Sequence, residues 1–211
     1  MRGKFVTLEG IEGCGKTTQV SLLADALKAR GIAVLLTREP GGSPIGGSLR
    51  EILLSESHAV APRTELLLYA AERAEHVAKV ILPALDRGLW VLCDRFGDAT
   101  RAYQAFGRGL PREEVEAAHA IATGGLEPDL TLLLRLPVEE SLARARARLA
   151  ASPDGLGRFE AEAEAFHRRV AEGYDALARE FPDRIRPVDA AGPAAEVTAR
   201  ILRAVEESLG R

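Results

Sequence analysis

The chain has 211 residues, 46% hydrophobic and 28% charged, with a formal net charge of −3, which is the composition of an ordinary globular protein and fits one domain, 1–211. No apolar run approaches the ~20 residues of a membrane span, and the N-terminus runs into Phe5-Val6-Thr7-Leu8 without the apolar core of a signal peptide, so a cytoplasmic location is expected. A mildly acidic balance argues against a general nucleic-acid binder, and Cys14 and Cys93 have neither the number nor the spacing of a disulfide framework or zinc site.

Lys4 to Glu9 reads as a strand, and Gly10-Ile11-Glu12-Gly13-Cys14-Gly15-Lys16-Thr17 then fits G-x-x-x-x-G-K-[ST]. In such a loop small residues let backbone N–H groups turn onto phosphate oxygens, while Lys16 reaches the β/γ-phosphates and the Thr17 hydroxyl holds Mg²⁺. A helix starting at Lys16 adds its positive dipole end. Val20, Leu23, Ala24 and Leu27 give Gln19 to Arg30 a helical period that Gly31 stops.

Ile32 to Thr37 is unbroken by polar residues, as in a strand buried on both faces, and it ends at Arg38-Glu39-Pro40-Gly41-Gly42. Ligands of open α/β sheets bind beyond the carboxyl ends of strands, so this is either a substrate segment or a solvated turn. Pro44 to Leu54 and Arg63 to Leu85 have helical patterns. On the second, Tyr69 and Arg73 are four apart and share a face; they could clamp a flat base and its edge, or be a core ring beside a surface arginine. Leu89 to Cys93 is another apolar strand, ending in Asp94-Arg95, and an apolar strand ending in Asp downstream of a phosphate loop has the Walker B form that supports Mg²⁺.

Phe96 to Leu110 lacks a clean apolar period and reads as active-site loop and helix start. Pro111 to Thr123 is helical, Leu130 to Leu136 is a strand, and Pro137 to Ala150 is a helix with Arg144, Arg146 and Arg148. Arg144 and Arg148 share a face whereas Arg146 points elsewhere. Ser152 to Gly157, with Arg158 after it, reads as a lid that closes basic groups over phosphates, spanning about 144–160; a solvated helix face with a surface loop is the other possibility. Phe159 to Phe181 is a helix, Arg184 to Val188 a strand and Pro193 to Leu209 a terminal helix.

Five strands interleaved with helices predict a doubly wound α/β domain of the P-loop type. The segments Glu9-Gly10 through Gln19, Thr37 through Gly42, Tyr69-Ala70-Ala71-Glu72-Arg73, Asp94-Arg95 through Tyr103-Gln104, Pro128-Asp129-Leu130-Thr131 and Arg158-Phe159-Glu160 together resemble bacterial thymidylate kinases over nearly the full chain. The resemblance implies transfer of the γ-phosphoryl group of ATP to dTMP with Mg²⁺, a nucleoside-monophosphate-kinase-like parallel sheet in the order 2-3-1-4-5, and a homodimer.

It further implies that Gly10 through Thr17, with Thr18, Lys16 and a lid arginine such as Arg144, bind ATP, and that Thr17 and Asp94 serve the metal. Arg38 would bind the dTMP phosphate. Tyr69 would lie over thymine, with Arg73, Thr100 and Gln104 about the base and Tyr103 beside the deoxyribose. Arg95 would sit between donor and acceptor phosphates, and Glu12 would reach the 3′-hydroxyl of dTMP or a water on the metal. Some relatives place an arginine after that acidic residue; here it is Gly13, so the cation must come from the lid, with Arg158 and Arg148 the first choices and Arg144 the reserve. Ala99 stands where relatives commonly have serine, so one polar contact to nucleotide or loop is expected to be absent, and Arg101 departs from the pattern in the same segment.

A kinase of another nucleoside monophosphate is the nearest alternative. A P-loop binding module regulated by NTP is the alternative from another class; a chain without asparagine has no N-K-x-D guanine motif. If the implied strand order holds, Cys93 ends the strand beside the one leading into Cys14, so the two thiols could pair on oxidation.

Overall fold

The computed structural model describes residues 2–55, 57–151 and 157–210. Strands β1 (Phe5–Glu9), β2 (Val34–Arg38), β3 (Trp90–Asp94), β4 (Leu130–Arg135) and β5 (Ile185–Asp189) form one parallel sheet in the order β2-β3-β1-β4-β5. This is the expected P-loop order. Parallel neighbours need crossovers, and helices provide them on both faces: α1 (Lys16–Ala29), α2 (Gly46–Leu54), α3 (Pro62–His76), α4 (Leu82–Asp86), α5 (Gly97–Thr100), α6 (Arg112–Thr123), α7 (Val138–Ala151), α8 (Glu164–Glu180) and α9 (Ala194–Leu209).

Alternate residues of the central strands feed separate cores. Val6, Leu8, Leu92, Leu130 and Leu132 pack with Val20, Leu23 and Leu27 of α1 and with Val197, Ile201 and Val205 of α9. On the other face Phe5, Val91 and Cys93 meet Val77, Ile81 and Leu85. Leu133 and Ile185 meet Val170, Tyr174 and Leu177 of α8. Cys14 belongs to the first core and Cys93 to the second, so the two free, buried thiols pack in different cores, which speaks against the suggested pairing on oxidation.

Four sequence expectations shift. β2 is an edge strand, half-buried rather than covered on both faces, and Leu36 is 43% exposed. The helical run from α3 to α4 passes through a π-turn, Val77–Ile81, just before Pro83, which has no N–H to give. Of Phe96 to Leu110, expected as loop and helix start, Gly97 to Gly107 is helical throughout: α5 leads into a π-helical stretch, Arg101–Gly107. The expected helix from Phe159 begins only at Glu164, because Phe159 is drawn into the ring cluster of Tyr103 and Phe166 by a turn. Of the expected lid loop, Ser152, Pro153, Asp154, Gly155 and Leu156 lie outside the described residues.

Asp98, on the short helix α5, ties the turn after β3 to the other half of the sheet. Its carboxylate accepts from Arg101 Nη1 at 3.1 Å, from Arg184 Nη1 at 2.6 Å and Nη2 at 2.9 Å, and from the Thr131 hydroxyl at 3.0 Å. Burial opposes its charge, but Arg184 and Arg101 outweigh that and hold the carboxyl below its ordinary range. The contribution to stability is therefore present above that range and is lost as pH falls through the depressed value. Asp98→Asn should cost about 3–5 kcal/mol of unfolding free energy near neutral pH, since it leaves two mostly buried guanidinium groups short of a partner. Denaturant titration of both proteins at pH 7 and pH 3 should show the gap narrowing in acid; a gap that stays constant would show that the charge contributes nothing.

Candidate active site

The phosphate loop closes the gap between β1 and α1 as its spacing requires. Gly13 has φ +79°, and a Cβ there would lie 1.9 Å from the Ser141 carbonyl oxygen of α7. Gly10 has φ +138°, and a Cβ there would meet the Leu134 carbonyl at 2.6 Å. Lys16 is folded over the loop, donating to the carbonyls of Gly10 at 2.9 Å and Ile11 at 2.7 Å. Gly10, Ile11 and Cys14 thus shape the loop from behind, whereas Glu12, Gly13, Gly15, Lys16, Thr17 and Thr18 face a cavity of about 790 Å³.

Strand register brings the rest of the wall to the same edge. Asp94 stands beside Leu8 of β1 and Arg38 of β2. The Thr17 hydroxyl donates to Asp94 Oδ2 at 2.7 Å. These are two adjacent hard oxygen donors at the mouth of a phosphate loop, a set that fits Mg²⁺ with most of its ligands supplied by water and phosphate. Arg38 is exposed and has no hydrogen-bond or ion-pair partner among the described residues, a cation available to an anion.

Arg95 lies at the centre. It is the one non-glycine residue with positive φ among those described, at 74°, and its guanidinium donates to Gly10 O at 3.0 Å, Tyr174 Oη at 3.1 Å, Glu12 Oε1 at 2.8 Å and Tyr103 Oη at 3.0 Å. Tyr103 donates to the same Glu12 oxygen at 2.6 Å. Burial disfavours the Glu12 charge, yet Arg95, His167, Lys16 and Tyr103 together hold its carboxyl well below the usual range. Glu9, at the end of β1, accepts from the backbone N–H groups of Phe96 at 2.7 Å and Ala99 at 3.3 Å and from the Tyr174 hydroxyl at 2.7 Å.

At the far end of the cavity, Arg73 is buried and held on Glu39 at 2.8 Å, on the Phe96 carbonyl at 3.1 Å and on the Thr100 hydroxyl at 2.9 Å. Its Nη1 has no partner among the described residues. His76 bridges Glu39 and Thr37 beneath it. Tyr69, Ala99, Thr100, Tyr103 and Gln104 complete this wall; the Gln104 amide nitrogen is spent on Glu65 at 2.7 Å. Arg101 is turned away, onto Glu116, Glu127 and Asp98, so it has no place in the cavity. Sequence reasoning missed Arg50 of α2, which lines the wall and donates to Pro40 O at 2.9 Å. Its place on the helix after the Arg38 loop was the available signal.

Of the arginines expected in the lid, Arg144 and Arg148 reach the cavity wall, bonded to Glu140 at 2.6 Å and Glu160 at 2.8 Å, while Arg146 does not. Arg158 is placed differently from the expectation. It is held off the wall by Glu65 at 2.8 Å and by the Leu53 carbonyl at 2.5 Å, stacked over Phe159.

Burial, with the nearby Asp98 carboxylate adding to it, pushes the Glu9 carboxyl up to about 7 from an ordinary 4.5, against Arg95, Tyr174 and the Phe96 amide. The native chain therefore holds a proton across that interval that the unfolded chain has released. Stability is full below the interval and is lost as pH rises through about 7. Unfolding free energies at pH 5 and pH 8 should drop further in the wild-type chain than in Glu9→Gln, and equal drops would remove Glu9 as the cause.

A model of the family described as thymidylate kinase matches residues 8–201. The chain is 53% identical over 203 residues to a thymidylate kinase of Trichlorobacter lovleyi, covering 95% of this chain and 96% of that one. It is 54% identical over 200 residues to that of Syntrophotalea carbinolica, covering 93% and 92%, and 54% identical over 199 residues to that of Gloeobacter violaceus, covering 94% and 92%. With a phosphate loop, an arginine-rich cavity and a 2-3-1-4-5 sheet in one chain, and with likeness to these proteins over nearly its whole length, the protein belongs to the thymidylate kinase family.

Proposed function

We infer that the protein transfers the γ-phosphoryl group of ATP to dTMP, giving dTDP and ADP, within a single kinase domain. The observation that carries this reading is one cavity with a phosphate loop at one end, a buried arginine with aromatic and hydroxyl neighbours at the other, and Arg95 between them. Phosphoryl transfer needs positioning and charge neutralisation rather than a covalent enzyme intermediate. In this reading Lys16 and the loop amides, with Thr18, hold ATP phosphates, and Arg38 with Arg50 holds the acceptor phosphate. Tyr69 covers the thymine ring, Arg73, Thr100 and Gln104 meet its edge, and Tyr103 lies beside the sugar. Arg95 stands between the phosphates, and Glu12 receives the 3′-hydroxyl.

Thr17 and Asp94 would hold Mg²⁺, directly or through water. When bound, the ion would supply positive charge to offset the negative charge that develops on the phosphates. Arg144 and Arg148 are the lid cations for the transferring group, since both already face the cavity; Arg158 would join them only by leaving Glu65. The homodimer that the resemblance implies has a candidate surface in Leu67 of α3 and Ile121 of α6, 64% and 86% exposed on two helices that pack together. Two free, buried thiols fit a cytoplasmic enzyme.

A coupled ADP-release assay across dTMP, dUMP, CMP, UMP, AMP and GMP should show turnover that is fastest with dTMP and absent without Mg²⁺; equal rates with several acceptors would sink the assignment. Arg148→Ala should lower kcat on the order of 10³-fold with little change in the KM for ATP. Unchanged kcat would remove Arg148 from that role and leave it to Arg144, or to Arg158 once released from Glu65.

A further inference from the structure

Glu12 presents only one of its oxygens to the cavity network. Oε1 carries the contacts with Arg95 and Tyr103, whereas Oε2 is buried and has no hydrogen-bond partner among the described residues. Facing it at 3.5 Å is Nδ1 of His167, on the first turn of α8. His167 is fully buried, and neither of its ring nitrogens has a hydrogen-bond partner among the described residues. A buried polar group left unpaired costs on the order of 1–3 kcal/mol, so such groups are rare, and two that face each other define one unmade interaction. The separation lies about 0.5 Å beyond a good N–H···O bond, within the reach of a small side-chain rotation.

The two partners differ in freedom. His167 is set in a packed helix between Phe166 and Val170, with the Phe166 ring edge-on to its own at 5.4 Å. Glu12 sits on a loop beside Gly13. The charge of Glu12 is already met by Arg95 and Lys16, so a neutral imidazole N–H suffices as donor. If Oε1 is to exchange a contact with Tyr103 or Arg95 for a substrate hydroxyl, the carboxylate needs its other oxygen held.

We propose that His167 is a positioning residue for phosphoryl transfer: its Nδ1–H donates to Glu12 Oε2 and holds the carboxylate with Oε1 turned to the 3′-hydroxyl of the acceptor. The proposal rests on the reading of Glu12 as the 3′-hydroxyl contact. His167 touches neither nucleotide; its effect passes through Glu12 alone.

The test compares His167→Phe, His167→Asn and His167→Gln with dTMP and with 3′-deoxythymidine monophosphate as acceptors, alongside thermal unfolding. An asparagine amide occupies the place of Nδ1 and a glutamine amide that of Nε2. His167→Phe should lower kcat/KM for dTMP about 10–100-fold, the worth of a hydrogen bond to a charged group, with the KM for ATP unchanged. The 3′-deoxy acceptor should lose much less, and His167→Asn should recover most of the dTMP activity while His167→Gln does not. Equal losses in the Asn and Gln variants, or losses that are the same with both acceptors, overturn the proposal; that pair decides the matter even if His167→Phe does not fold. Glu12→Gln separates the two layers. If it discriminates between the acceptors as the wild type does, the reading of Glu12 falls and takes the proposal with it; if it loses discrimination while His167→Phe keeps it, only the role of His167 falls.

Discussion

The buried guanidinium of Arg95 is the constraint on which the cavity depends. It joins the phosphate loop through Gly10 and Glu12, the π-helical stretch through Tyr103 and α8 through Tyr174. Holding a non-glycine residue at φ 74° costs on the order of 1–3 kcal/mol, and the four hydrogen bonds over-determine it. The strand β3 thus ends on a cation whose direction three other elements agree on. In the proposed reaction a charge fixed in this way would need little reorganisation as phosphate charge develops beside it, which is how preorganised dipoles and cations contribute to catalysis.

The neighbouring groups obey the same economy of charge. Arg73 is set against Glu39, which His76 shares, and Arg158 and Arg108 against Glu65. Burial works against each of these carboxylates, so a partner removed would leave an uncompensated charge rather than a vacant space. Arg38 is the contrast, exposed and without a partner among the described residues. Cations that shape the cavity are therefore committed to the protein, while one that would meet substrate phosphate is left available.

Much of this was legible in the chain itself because it depends on local chemistry. The phosphate loop needs particular residues at fixed intervals, and Asp94 closes an apolar run, so both could be read from spacing. The strand order came through family resemblance instead, since alternation cannot tell an edge strand such as β2 from a central one. The segment from Arg101 to Gly107 was hidden for a geometric reason: a π-turn has a wider repeat than the α-helix and breaks the 3.6 period by which helices are recognised. The positions of Arg158 and His167 were hidden because their contacts span long stretches of sequence. Arg158 looks like a lid cation by its place in the chain, and only the folded chain reveals that Glu65 already claims it.

In the proposed reaction, Gly13 carries a consequence for how a cation can be supplied to the transferring group. The carbonyl of Ser141 occupies the space that any side chain at position 13 would enter, so α7 rests directly on the phosphate loop. An arginine in the loop and this seat for α7 are alternatives that cannot coexist. Moving the cation from lid to loop would therefore require α7 to be re-seated at the same time, and since α7 also carries Arg144 and Arg148, the change would withdraw the lid arginines as it introduced the new one. The two arrangements are separated by a concerted change of packing between α7 and the phosphate loop.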